Sequence, residues 1–186
     1  MWRGWLPKKV SLVKQKILDS WSVLIEGAQG RGDELIKKVV EYIEKSKAPN
    51  VSAEIVEAYP DLGSRIWSSI SKRLAREPKT YLMVSNDNLE ATKIYVRAQD
   101  YGENLFVCWY LITEPGLLAE LLSFPTSEDK WHWVPRTRDV FTEEELTAYV
   151  TCVHHCVLKA VDDLMRSLGQ DPSKIDRKSR GFLGVS

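Results

Sequence analysis

The chain has 186 residues, and its 26 Lys plus Arg balance 26 Asp plus Glu, so the formal net charge is zero. That balance excludes a protein built mainly to neutralise phosphate backbones, and no nucleic-acid partner is expected. Charged residues at 28% and apolar residues at 44% describe a globular chain, long enough to bury a core without a disulfide or metal.

Residues 8–25, KKVSLVKQKILDSWSVLI, place Val10, Val13, Ile17, Trp21 and Leu24 at helical spacing, with Pro7 suited to a first turn. GAQGRGD then breaks the pattern with three glycines. No strand carrying a phosphate-loop pattern precedes it, so it reads as a linker, with an anion-binding turn as the alternative. The expected organisation is an amphipathic helix and Gly-rich linker over 1–30, followed by one domain over 31–186. Asp33 can cap a second helix with Leu35, Ile36, Val39, Val40 and Ile43 on one face, ending near Lys47.

VSAEIVEAY (51–59) is β-rich and reads as a strand. In 61–77, Ile66, Trp67, Ile70 and Leu74 favour a helix that Pro78 stops. TYLMVS (80–85), ATKIYVRAQ (91–99) and NLFVCWYLIT (104–113) read as a meander, broken by NDN and DYGEN, whose residues tolerate tight turns. The middle strand alternates, with Ile94, Val96 and Ala98 on one face and Lys93, Tyr95 and Arg97 on the other, and one of its faces is expected to be wet. The third is apolar on both sides and is the expected central strand. LLAELLSF reads as a short helix, and WHWVPRTRDVF as an edge strand, since Pro135 cannot donate to a ladder.

Thr142 with Glu145 three positions later is a capping box for a long last helix. Leu146, Val150, Val153, Val157, Ala160, Val161, Leu164 and Leu168 form its apolar stripe, and Gly169 stops it. The fold expected is α+β: an antiparallel sheet of about four to five strands with helices packed on one face and a long C-terminal helix. The tail DPSKIDRKSRGFLGVS either docks Phe182 and Leu183 on the body or is free.

The same last helix holds the densest chemistry, Cys152–Val153–His154–His155–Cys156. On a helical wheel His154 and Cys156 flank the stripe, Cys152 lies further round, and His155 points nearly opposite. Cys152, His155 and Cys156 could supply three ligands to zinc, with a fourth from Cys108 or His132. Recognised zinc patterns draw ligands from two elements, and this chain has no paired Cys-x-x-Cys knuckles. A packed helix is therefore the expected reading, with no metal and no cofactor. Cys108 sits in the most apolar strand, where burial raises a thiol pKa. Asp162–Asp163 and Glu143–Glu145 read as solvent-facing helix residues rather than an acid–base pair.

Seven tryptophans are many for this length, and Arg136 and Arg138 directly follow Trp131 and Trp133. Trp beside Arg is the composition of a binding hot spot. Trp131, Trp133, Arg136 and Arg138 are therefore the expected site of a non-catalytic binding module. Its partner would be a protein or small-molecule ligand, or a second copy in a homo-oligomer. A metal-dependent enzyme or zinc-stabilised domain at Cys152, His155 and Cys156 is the second reading. A peripheral membrane adaptor, using Trp2, Trp5, Lys8, Lys9, Lys14 and Lys16 at an anionic surface, is the third. The cysteine usage, the absence of a run of ~18 apolar residues and the lack of a secretory signal in MWRGWLPKKVSLVKQK point to a cytoplasmic setting.

Overall fold

The computed structural model describes residues 7–12, 16–59, 78–113, 140–181 and 183–186. In chain order they form β1 (Lys8–Ser11), β2 (Lys16–Ile25), α1 (Gly32–Ser46), β3 (Val51–Tyr59), β4 (Lys79–Asn86), β5 (Thr92–Tyr101), β6 (Asn104–Thr113) and α2 (Val140–Ser167). Short 3-10 turns at Asp87–Leu89 and Pro172–Lys174 complete the set.

The strands make one sheet in the order β1-β3-β4-β5-β6-β2. The meander β4-β5-β6 is antiparallel, as its breaks at NDN and DYGEN require, and Gly102 takes the positive φ (61°) of the second turn. The α+β class holds, but the sheet has six strands and is mixed, because β1 runs parallel to β3.

The helix expected over 8–25 is instead two strands, β1 and β2. Positions 10, 17, 21 and 24 do fall at helical spacing, yet Trp21, Val23 and Ile25 also fall at the period of two. In the sheet that second pattern wins. Trp21 lies opposite Trp109 and packs its ring in the core, while Ile17 (54%) and Leu24 (47%) are left exposed on the other face. Long-range pairing with β6 overrides a weak local preference. The membrane-adaptor reading loses its amphipathic helix over those residues. Among the described residues no helix is long and apolar enough to cross a membrane.

Both helices cover one sheet face. Leu35, Val39 and Ile43 of α1 and Leu146, Val150, Val153, Val157, Val161 and Leu164 of α2 share a core with Leu82, Val84, Ile94, Val96, Val107, Trp109 and Leu111. The expected stripes are thus the buried ones. The expected caps differ. Arg31 precedes α1 without a side-chain capping bond, so Asp33 lies within the first turn. Thr142 lies inside α2, and Glu145 accepts from Asn88 Nδ2 (2.7 Å) instead of closing a capping box. Gly169 ends α2 as expected: its φ is 71°, Gln170 N donates to Met165 O (2.9 Å), and Gly169 N donates to Arg166 O (3.0 Å).

The opposite face is ordered by cross-strand rows. One reads Val56–Tyr81–Arg97–Cys108–Ser22, and the next Glu54–Met83–Tyr95–Tyr110–Ser20. Tyr95 is 3% exposed, lying between Met83 and Tyr110 with the Tyr81 ring edge-on at 6.1 Å. The helix expected over 61–77, LLAELLSF and residues 131–139 of the expected edge strand lie outside the described residues. Val140 and Phe141, the last two of that stretch, open α2.

Candidate functional site

Rows that cross the sheet place Trp21 and Trp109 side by side beneath α2, and His154 descends between them. Its ring is fully buried, with centroids 5.7 Å from Trp21 and 5.5 Å from Trp109, both edge-on. Trp109 Nε1 lies 3.0 Å from His154 Nδ1, and His154 Nε2 lies 2.7 Å from the Arg177 carbonyl oxygen. An indole N–H can only donate and a carbonyl can only accept. Nδ1 must therefore be bare and Nε2 must carry the hydrogen, which forces the neutral Nε2–H tautomer. Burial pushes the His154 pKa below its ordinary value, partly opposed by the bond to the Arg177 carbonyl.

The C-terminal segment 171–186 seats over this centre. Trp21 Nε1 donates to Asp176 O (2.7 Å), and Arg180 N donates to Ser20 O (2.8 Å). Asp19, 1% exposed, accepts from Ser20 N (2.7 Å) and Ser179 Oγ (3.0 Å). Gly181 approaches Asp19 so closely that a Cβ there would overlap its backbone. Arg177 Nη2 reaches both oxygens of Asp162 at 2.7 and 2.9 Å, and Leu183 and Val185 join the core. The tail is docked, not free, through Leu183 and Val185; Phe182 lies outside the described residues. Asp162 is therefore a structural ion-pair residue, and its neighbour Asp163 accepts from Tyr42 Oη, linking α2 to α1.

The Cys–His cluster disperses from here. His154 turns inward, whereas the exposed His155 places Nε2 2.8 Å from the Ser186 carbonyl oxygen. Cys156 is buried beside half-buried Cys152, and both are free thiols. Burial first, then the neighbouring Cys152, pushes the Cys156 thiol up to about 12. Among the described residues no three His, Cys, Asp or Glu side chains gather as a metal-holding group. Cys108 is 3% exposed, and burial raises its pKa against the lowering effect of Arg97 and Lys79.

The Gly27, Gln29 and Gly30 amides of the GAQGRG turn are already engaged. Gly27 N donates to Asn104 Oδ1 (3.2 Å), Gln29 N to Glu103 O (3.2 Å) and Gly30 N to Asp100 Oδ1 (2.9 Å). A carboxylate of the β5–β6 hairpin thus occupies the place an anion would take. The turn anchors β2 to that hairpin, more than a linker would.

On the sheet face away from the helices, Arg97 stacks on Tyr81, its guanidinium carbon 5.4 Å from the ring centroid. Phe106 and Tyr110 on β6 are half-buried nearby, and burial lifts the Tyr110 phenol to about 12. Trp131, Trp133, Arg136 and Arg138 lie outside the described residues. The Tyr81–Arg97 pair was missed because its two residues are 16 apart in sequence and meet only through the β4–β5 register. His154 was placed on a flank, and nothing local marks its bond to Trp109. The chain matches no protein-family model, no curated protein and no solved structure.

Proposed function

We propose that this chain is a non-catalytic binding module that engages a protein partner through aromatic and arginine side chains on its sheet. The observation that carries the reading is Arg97 stacked on Tyr81 at half-buried positions, with Phe106 and Tyr110 alongside. Rigid rings offer contact area at little entropic cost, and a stacked guanidinium keeps directional donors free for a partner. Trp131, Trp133, Arg136 and Arg138 would extend the same composition. Glu54 lies in the row beside this patch and the net charge is zero, which favours a protein, including a second copy, over nucleic acid. The strongest chemical groups described serve the fold: His154 is locked by Trp109 and Arg177, and Asp162 pairs with Arg177.

The test places a photo-crosslinking residue at position 106, identifies the captured protein, and measures its affinity for variants with unchanged circular dichroism and melting temperature. Arg97→Ala and the pair Trp131→Ala, Trp133→Ala should each weaken binding at least about tenfold, or ~1.4 kcal/mol. Affinity unchanged in both sets removes the proposal.

A further inference from the structure

We propose that the C-terminal segment 171–186 is a proton-operated clasp on the outer edge of β2, opened when His154 takes up a second proton. β2 ends the sheet, so its outer edge has no strand partner among the described residues. The segment runs along that edge in the opposite direction. Gln170 Nε2 donates to Glu26 O (2.7 Å) at one end, and Arg180 N donates to Ser20 O (2.8 Å) at the other. Between these ends Asp176 O and Arg177 O take the Trp21 and His154 hydrogens. The edge carbonyl of Ser20 is thereby occupied, which keeps that position of the edge from pairing with another chain.

The operator is His154. A proton added at Nδ1 would point at the Trp109 Nε1 hydrogen across 3.0 Å, two donors facing each other. The imidazolium would also sit fully buried between Trp21 and Trp109. Among the described residues, the charged groups facing it come from three elements. Asp19 on β2 favours the proton, while His155 on α2 and Arg177 in the segment oppose it; β6 presents only the uncharged Trp109. Arg177 is itself balanced by Asp162. Relief requires water at the ring. Helix α2 and strands β2 and β6 are held by the main core, whereas 175–180 has no regular structure and is held by a handful of hydrogen bonds, the Asp162 pair and the partly buried Ile175. Lifting the segment hydrates the imidazolium and carries Arg177 away from it. Opening by the weakest-held unit is how local unfolding proceeds.

The experiment is hydrogen exchange on the full chain from pH 7.5 to 5, corrected at each pH for intrinsic exchange. Protection of peptide 176–186, which contains the Ser179 and Arg180 donors, should fall as pH drops below about 6.5, by at most about tenfold per pH unit for one proton. Peptide 82–96 of β4 and β5 should stay protected over the same range. His154→Gln should abolish the transition, and Asp19→Asn should keep it, shifted to lower pH. NMR titration of the His154 ring in the unmodified chain should give the same midpoint, so the proposal is decided even where His154→Gln fails to fold. Flat protection of 176–186, loss of the sheet together with the segment, persistence of the transition in His154→Gln, its loss in Asp19→Asn, or a different imidazole midpoint would each overturn the proposal.

Discussion

Trp109 donates its indole hydrogen to His154 Nδ1, and that single bond across 45 residues sets the protonation state of the imidazole. Because the folded chain holds the His154 pKa below its ordinary value, the unfolded chain binds more protons as pH falls through about 6.5. The stability this group contributes is therefore complete above that pH and is lost as pH drops toward the folded-state value. Urea unfolding at pH 7.5 and 5.5 should show a loss in wild type that is smaller in His154→Gln. At pH 7.5, Trp109→Phe should cost at least about 2 kcal/mol, from lost volume and an unpaired Nδ1. Equal costs for both variants at the two pH values would contradict the tautomer derived from the geometry.

Asp19 and Gly181 form the tightest backbone approach at the tail. Gly181→Ala should unseat the segment, since the added carbon overlaps the Asp19 backbone and cannot be relieved by a side-chain rotation. Ser179→Ala removes a single donor to the buried carboxylate and should cost about 1 kcal/mol. Proteolysis within 171–186 should therefore accelerate far more in Gly181→Ala than in Ser179→Ala. The reverse order would mean that hydrogen bonding, rather than close packing, seats the tail.

The zinc reading of Cys152, His155 and Cys156 makes its own measurement. With His155 directed to the Ser186 carbonyl and no three-ligand group among the described residues, purified chain should carry less than about 0.1 metal per molecule. Near-stoichiometric zinc would restore that reading.

How much of this could be read from residues alone depends on which contacts decide it. The stripes of α1 and α2, the β4-β5-β6 meander and the Gly169 stop follow from periods and turn residues a few positions apart, and those hold. β2 was legible only as an ambiguity, because Val10, Ile17, Trp21 and Leu24 fit one period and Trp21, Val23 and Ile25 the other. Its partner β6, more than 80 residues on, decided between them. His154 is the same case in a single side chain. The helical wheel puts it on a flank, and what turns that flank into an interior is a tail whose docking rests on Asp19, Trp21 and Asp162, all distant in sequence.

The three thiols should react in an order set by burial. Cys152 is half-buried, whereas Cys108 is 3% exposed and Cys156 is buried with its thiol lifted to about 12. A raised pKa leaves less of the thiol ionised, and the thiolate is the attacking species. An aromatic disulfide reagent should therefore label Cys152 first. The remaining two should follow at least about 100-fold more slowly than in urea, where all three are solvated. Labelling of Cys108 ahead of Cys152 would mean that the sheet face around Arg97 and Tyr110 opens more readily than the flank of α2.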